Sequence, residues 1–534
     1  MSDETIRKLY GSNADLSEKR SITLGALTQA FFTFLSRILG MIRDVMVSHI
    51  FGAGALTDAF LISFTIPNVL RQFFGEGAFS AAFVPIYVSV KEEQGLEEAK
   101  AFYRNAFGFL LISLTLVTLL GMYFSKEMVQ LFAMGFSYDE EQLSLASTMT
   151  RWLFPYILLI SLVALFGALL ACYKRFAAMA AAPMLLNLAM ISSMVLWTDL
   201  FEQSIYMLVV GVLAGGVLQL LLMIMILKRS QLWIWPKLSF RSEAMVKFLK
   251  LLAPGLFGVF VYQLNIIVLR QLASFLGDGQ ISYYYNADRL AQFAMGVFAV
   301  SIATSSLPEL SRGFARSSID GYYETLRFTM AFTSFLLTPC ALGLFVFAKP
   351  IVSVLFVHGA FTYDDALITA RTLMAFCPSL LAFGLSRTLI QAFYAQGDTK
   401  TPVLVGVVTV IMNLGLGLML LRYEVVGLAA TLSVSSCIQF FLLLWLFKRR
   451  SEGGFSLGLF YSLSEHLMVS AVACGVGIYV AKLGEFSDGF SIKNAVVLTM
   501  VSIISAGSYF LFAYYFRSRM ARRFVDDLRT RFFG

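Results

Sequence analysis

The sequence predicts an all-α integral membrane protein with 14 transmembrane helices, arranged as two six-helix lobes related by a parallel duplication plus two extra C-terminal helices. Three observations lead there. Of 534 residues, 58% are hydrophobic and 14% charged, with a mean hydropathy of +0.76, whereas a soluble domain is about 45–50% apolar and about 25% charged. Apolar runs of about 20 residues, long enough to cross a bilayer, recur along the whole chain. Lys and Arg crowd alternate connections between these runs, as the positive-inside rule requires of a polytopic protein.

Runs bounded by charge or turn clusters place spans near 23–48, 56–90, 104–123, 145–172, 178–198 and 205–227, together the N-terminal lobe at 23–227. A basic connector at 228–247 carries Lys228, Arg229, Lys237, Arg241 and Lys247. Spans near 248–275, 280–311, 325–348, 364–395, 402–421 and 424–447 form the C-terminal lobe at 248–447, and spans near 462–481 and 495–516 complete the set. Residues 1–22 are a polar extension and 517–534 a basic tail. The extension mixes charges of both signs, so it is no apolar core of a cleaved signal peptide. An even number of spans then puts both termini in the cytoplasm of an inner-membrane protein, with only Lys126, Lys349, Arg422, Lys482 and Lys493 in the opposite loops. Topology and contact with anionic lipid account for the net charge of +8, and no nucleic-acid partner is needed.

Five cysteines, Cys172, Cys340, Cys377, Cys437 and Cys474, lie in apolar runs without CxxC spacing and read as small core residues. His49, His358 and His466 have no second ligand at helical spacing, so neither a metal nor any other cofactor is expected. The outward Asp139-Glu140-Glu141 is a solvated loop, and no loop is large enough to house a soluble catalytic domain. A transporter, not an enzyme, is the expectation.

The first two spans and the seventh and eighth look like copies. Arg43 leads through Gly52-Ala-Gly54 to Arg71 and a stretch ending at Pro85, while Arg270 leads through Gly277-Asp-Gly279 to Arg289 and a stretch ending at Pro308. Six spans separate the copies, so both run in one direction, a duplication about an axis along the membrane normal.

Charges inside the spans are the chemical signal. Each costs roughly 2.5–3.5 kcal/mol at mid-bilayer on insertion scales, and such groups face a bundle interior or a wet cavity. The first span holds Ser36, Arg37, Arg43 and Asp44, with Gly40 offering a bend between the arginines. Asp58 opens the second span, where Asn68, Arg71 and Gly75 share one stripe. Its copy supplies Asp288 and Arg289, with Ser282 and Gln292 nearby. These charges read either as ion pairs that lock the lobes or as a cationic lining for an anion; arginines in excess of neighbouring carboxylates favour the anion, whose phosphate oxygens match the guanidinium fork. Asn187 and Asn413 sit in apolar helices, suited to bonding helix to helix or to lining the cavity.

The run Ser36-Arg37-Ile-Leu-Gly40-Met-Ile-Arg43-Asp44, followed by Phe51-Gly-Ala-Gly54, Asp58-Ala-Phe60, Pro67-Asn68-Val-Leu-Arg71 and Glu76-Gly-Ala-Phe-Ser80, closely resembles the MurJ (MviN) family of lipid II flippases. Phe154-Pro155-Tyr156, Ala182-Pro183 to Asn187, Ala287-Asp288-Arg289-Leu290 and Asp398-Thr-Lys-Thr-Pro402 extend the resemblance over almost the whole chain. It implies the fold of the multidrug/oligosaccharidyl-lipid/polysaccharide exporter superfamily, with a groove at spans 13 and 14 for a polyprenyl tail. It also implies substrate-binding positions at Arg37, Arg43, Asp44, Asp58, Arg71, Asp288 and Arg289, with Ser36, Asn68, Glu76, Ser282 and Asn187 as companions. Gln292 departs from relatives that carry glutamate there, which leaves no coupling carboxylate at that position. The implied substrate is lipid II, the undecaprenyl-pyrophosphate disaccharide pentapeptide, carried to the outer leaflet by alternating access. Membrane lipids and cell-wall synthesis proteins are the implied partners of a monomer. The competing readings are a flippase for another polyprenyl-linked oligosaccharide and a multidrug cation antiporter of the same fold.

Overall fold

A computed structural model of the protein describes residues 13–72, 78–173, 175, 177–196, 205–237, 239, 242–297, 299–315, 319–450 and 458–515. Among them there is no strand, only helices and short connections. The first helices are α1 (Asn13–Phe51), α2 (Ala55–Arg71), α3 (Ala78–Glu93), α4 (Leu96–Tyr123) and α5 (Ser125–Phe132). After a 3-10 turn at Met134–Tyr138 come α6 (Glu140–Leu153), α7 (Pro155–Cys172), α8 (Ala177–Leu196) and α9 (Tyr206–Arg229). The chain continues through α10 (Glu243–Ala273), α11 (Gln280–Val297), α12 (Ala299–Ala315), α13 (Ile319–Val346), α14 (Ala348–Phe356) and α15 (Tyr363–Ala395). Last are α16 (Lys400–Leu420), α17 (Glu424–Arg450), α18 (Gly458–Ala481) and α19 (Ile492–Tyr515).

Local chemistry marks the ends of these helices. Asp139 caps α6, its carboxylate accepting from the Glu141 and Gln142 amides, and Pro155 opens α7 with its fixed φ. Thr362 and Asp365 form a reciprocal capping box at α15. Gly52 ends α1 at φ +66, where a Cβ would stand 2.6 Å from the Ala360 carbonyl oxygen.

Ten helical stretches are long and apolar enough to cross a membrane, one of them covering both α16 and α17. The protein is therefore a multi-pass, all-helical membrane protein. The ten do not include α1, α2 or α10, the helices that carry Arg37, Arg43, Asp44, Asp58, Arg71 and Arg270.

The chain divides into two compact units. One comprises Met1–Met46, Ala59–Phe132 and Phe136–Gln263; the other comprises Val47–Asp58, Ala133–Gly135 and Leu264–Gly534. The division falls within α10 and not in the connector, and the end of α1 is grouped with the second unit.

Lipid tails are as apolar as leucine, so close fit, more than burial from water, holds membrane helices together. In the first unit, α8 and α9 approach at Gly211 and Gly215, where added Cβ atoms would come within 2.9 Å of the Met190 Cα and 2.8 Å of the Leu186 Cα. Phe248 at the start of α10 packs edge-on against Phe79 and Phe102. Trp233 of the connector lies edge-on to Phe107 and Phe166. In the second unit, Tyr322, Leu326, Leu389, Phe393, Phe440 and Phe447 form one buried cluster from α13, α15 and α17. A second cluster, with Phe335, Val469 and Tyr509, fastens α18 and α19 to α13, and the Tyr509 hydroxyl donates to the Phe335 carbonyl at 2.7 Å.

Candidate functional site

The residues singled out from the sequence form separate groups in the two units. In the first unit, Arg43 and Asp44 are both buried. Arg43 Nε and Nη2 donate to Asp44 Oδ1 at 3.0 and 2.6 Å, while Nη1 donates to Asn187 Oδ1 at 3.0 Å and lies 3.8 Å from Met190 Sδ. Asn187 Nδ2 in turn donates to the Ser36 carbonyl at 3.0 Å. Ser36, Arg43, Asp44 and Asn187 thus make one network that ties α1 to α8. Gly40 sits within it: a Cβ there would be 3.5 Å from Asn187 Nδ2.

Arg37 is half-buried, one turn and a half before Arg43 on α1, and makes no hydrogen bond or ion pair with any described residue. Asn68 turns its amide back to the Phe64 carbonyl of its own helix at 3.0 Å. Arg71 is the last residue of α2 and half-buried. Beside it, Gln72 accepts a hydrogen bond from the fully buried Gln263 of α10. Glu76 lies outside the described residues.

Asp58 belongs to the second unit and is wholly buried. Its Oδ2 accepts from the Gly279 amide at 2.8 Å, and its Oδ1 accepts from the Ser282 amide at 2.8 Å and the Ser282 hydroxyl at 2.5 Å. The carboxylate therefore serves as the N-cap of α11, supplied from another helix. It satisfies orphan amides and places negative charge at the positive end of the helix dipole.

Further along α11 stands a second charged group. Arg289 Nη2 donates to the Tyr285 hydroxyl at 2.7 Å, and its guanidinium carbon lies 4.9 Å from the Tyr285 ring centroid. Asp288 accepts from Gln292 Nε2 at 2.6 Å. Arg270 is buried, with its guanidinium carbon 5.7 Å from the centroids of both Tyr284 and Tyr285.

The sequence reading gave no site role to Tyr284 and Tyr285, which it met only as part of the family resemblance, or to the Gln72–Gln263 pair. Arg270 had a signal in the sequence, where it stands to Gly277-Asp-Gly279 and Arg289 as Arg43 stands to Gly52-Ala-Gly54 and Arg71. Asn413 likewise mirrors Asn187: its Nδ2 donates to Asn265 Oδ1 on α10 at 2.5 Å, just as Asn187 ties α8 to α1. Both asparagines bond helix to helix. Among the described residues no group of three or more His, Cys, Asp or Glu is placed to hold a metal ion.

Arg43, Arg270 and Arg289 set guanidinium groups within these helices, and Asp44, Asp58 and Asp288 each accept a hydrogen bond. A family model described as lipid II flippase MurJ matches residues 47–497. A probable lipid II flippase MurJ from Haemophilus influenzae is 34% identical over 501 residues, covering 89% of this chain and 96% of the relative. The lipid II flippase MurJ of Burkholderia cenocepacia is 35% identical over 422 residues, covering 78% and 82% respectively. A solved structure of a lipid II flippase MurJ in an inward closed conformation superposes with a TM-score of 0.75 at 27% identity, covering 92% of this chain and 99% of that one. An inward-facing MATE family transporter of the MOP superfamily shares the fold at a TM-score of 0.65 and 12% identity, covering 79% of this chain and 98% of its own. By the extent of the family match and the identity to these relatives, the chain belongs to the MurJ family.

Proposed function

We propose that the protein is a lipid II flippase, moving the undecaprenyl-pyrophosphate-linked peptidoglycan precursor from the cytoplasmic to the outer leaflet of the inner membrane. The observation that carries this reading is an excess of arginine over carboxylate inside a bundle of the MurJ family. The first unit holds Arg37, Arg43 and Arg71 against one carboxylate bonded to Arg43, that of Asp44, while Asp58 of the second unit is committed to capping α11. Arg270 and Arg289 in the second both lie at the Tyr285 ring, and Asp288 accepts from Gln292. A pyrophosphate supplies the negative charge such a lining lacks, and each charge-assisted hydrogen bond to it is worth about 1.5–3 kcal/mol. A cation carrier of the same fold needs inward carboxylates with no partner, and Asp44, Asp58 and Asp288 do not meet that need.

In this reading the substrate-binding set is Arg37, Arg71, Asp288 and Arg289, with Asn68, Glu76 and Ser282 beside them. Arg43, Asp44, Asn187 and Ser36 form the scaffold that fixes α1. Fourteen spans in two duplicated lobes, with both termini cytoplasmic, give the carrier its alternating-access frame, and α18 and α19 flank the route of the lipid tail. Binding of the anion relieves repulsion among the arginines and biases the two-state carrier towards the occluded state.

Rapid depletion of the protein in growing cells, followed by labelling of lipid II headgroups from outside, tests the reading. Outward-exposed lipid II falls while total lipid II holds or rises. An unchanged outward pool would overturn it.

A further inference from the structure

His49, in the last turn of α1, and His358, in the loop after α14, are far apart in sequence but meet within the second unit, their ring centroids 5.5 Å apart and the rings tilted by 40°. The backbone builds this approach. The His49 carbonyl accepts from the Ala360 amide at 2.8 Å. Gly359 sits at φ +65, where a Cβ would stand 2.2 Å from that carbonyl oxygen and 2.5 Å from His49 Nδ1, so only glycine fits. A bridge between His358 and Phe361 closes the loop, and the Phe490 ring, from the connection before α19, lies 6.0 Å from His358 on centroids. Both imidazoles are thus held in place by their surroundings, as a preorganised site requires. His49 is exposed, while His358 Nδ1 is buried without a hydrogen-bond partner among the described residues, which leaves Nε2 as the nitrogen His358 offers to a ligand.

An ion held by two imidazole nitrogens at about 2.0–2.1 Å sets their ring centroids roughly 5–6 Å apart, the separation these rings already have. We propose that His49 and His358 form a two-histidine site for a divalent transition ion, Cu2+ or Zn2+, which staples the end of α1 to the loop between α14 and α15. Imidazole is a ligand that both ions favour. Burial and the neighbouring His49 hold the His358 imidazole below its ordinary pKa, so it stands neutral, the form a metal needs. Two protein ligands leave the remaining coordination positions to water, so the ion exchanges with solution, unlike one closed in by four side chains. In the fourteen-span reading both histidines lie on the outer side of the membrane. The site stands apart from the flippase reading, and its failure would leave that reading untouched.

One equivalent of Cu2+, added to the purified full chain free of any affinity tag, provides the test by electron spin-echo modulation, which counts the imidazoles on each copper. Wild type shows two. The chain has three histidines, and His466 is buried on α18 against Ser334 and Phe335, so a two-imidazole signal comes from His49 and His358. His49→Ala and His358→Ala each show at most one, and their affinity for Cu2+ falls by more than about tenfold, the least that loss of a metal's supporting partner costs. Zn2+ raises the unfolding temperature of wild type and of neither variant, because an ion that binds only the folded pair stabilises it. A wild-type spectrum with one imidazole or none marks an adventitious ion only and overturns the proposal, and this holds even where a variant fails to accumulate. A single variant that keeps wild-type affinity, or that Zn2+ stabilises as it does wild type, places the ion on other ligands and overturns it equally.

Discussion

Asp58 and Arg43 show how buried charges serve different structural ends. Asp58 gives three hydrogen-bond acceptances to the start of α11, two of them from main-chain amides. Asp58→Ala removes all three, and thermal unfolding of purified protein reads a loss of about 1–2 kcal/mol, the worth of an N-cap. Asp58→Asn keeps one acceptor oxygen, so its loss is smaller; equal losses would show that the cap is not what the carboxylate provides. Arg43 holds Asp44 and Asn187 together in a site almost closed to solvent. Arg43→Ala strands a buried carboxylate, at about 3–5 kcal/mol, and the protein disappears from the membrane. Adding Asp44→Ala removes the stranded charge and restores the amount on immunoblots; a double variant as scarce as the single would mean that Arg43 acts elsewhere. The intramembrane arginines were legible from sequence because a charge in an apolar run is conspicuous. Their partners were not, since Asn187 is 144 residues from Arg43 and only the packing of α8 on α1 brings them together.

At the scale of elements, the described residues of the predicted apolar runs are helical almost throughout, because in lipid the backbone must satisfy its own hydrogen bonds. Where the sequence was silent is the division of labour within a helix. The second unit takes over from the first inside α10, between Gln263 and Leu264, although no charge or turn marks that point. Asn187 donates to the Ser36 carbonyl of α1, and Asn413 donates to the Asn265 side chain of α10, so each joins two helices far apart in sequence. Asp398 stands in the turn between α15 and α16. Asp398 accepts from the Thr401 amide and hydroxyl and pairs with Arg450 at the end of α17. Burial works against its charge, but the Thr401 and Arg450 bonds hold its pKa at about 2, below the ordinary value of 3.8. A depressed carboxylate stabilises above its unfolded pKa and loses that contribution as pH falls through the folded one. Asp398→Asn is therefore less stable than wild type at neutral pH, and the two unfolding temperatures converge as pH drops from about 4 towards 2. A gap that stays constant over that range would exclude the ionised carboxylate as its source.

For the molecule as a whole, composition and the alternation of basic loops indicated a polytopic membrane protein before any helix was placed, because both follow from the bilayer and not from packing. The fourteen-span reading makes a direct topological prediction. Reporters fused after Ser230, Arg450 and the C-terminus read cytoplasmic, and those near Asp139, Asp364 and Asp488 read periplasmic; two on the wrong side would require another span count. The central claim is that these arginines carry a pyrophosphate-linked lipid across the bilayer, and it is tested most directly with purified protein in vesicles containing lipid II labelled on its headgroup. An impermeant quencher added outside then reports the fraction that crosses. Vesicles with wild-type protein expose label from the inner leaflet to the quencher, while vesicles holding the same amount of folded Arg289→Ala protein stay at the level of protein-free vesicles. Lipid II that remains behind in wild-type vesicles, or that crosses equally well with Arg289→Ala, would contradict it.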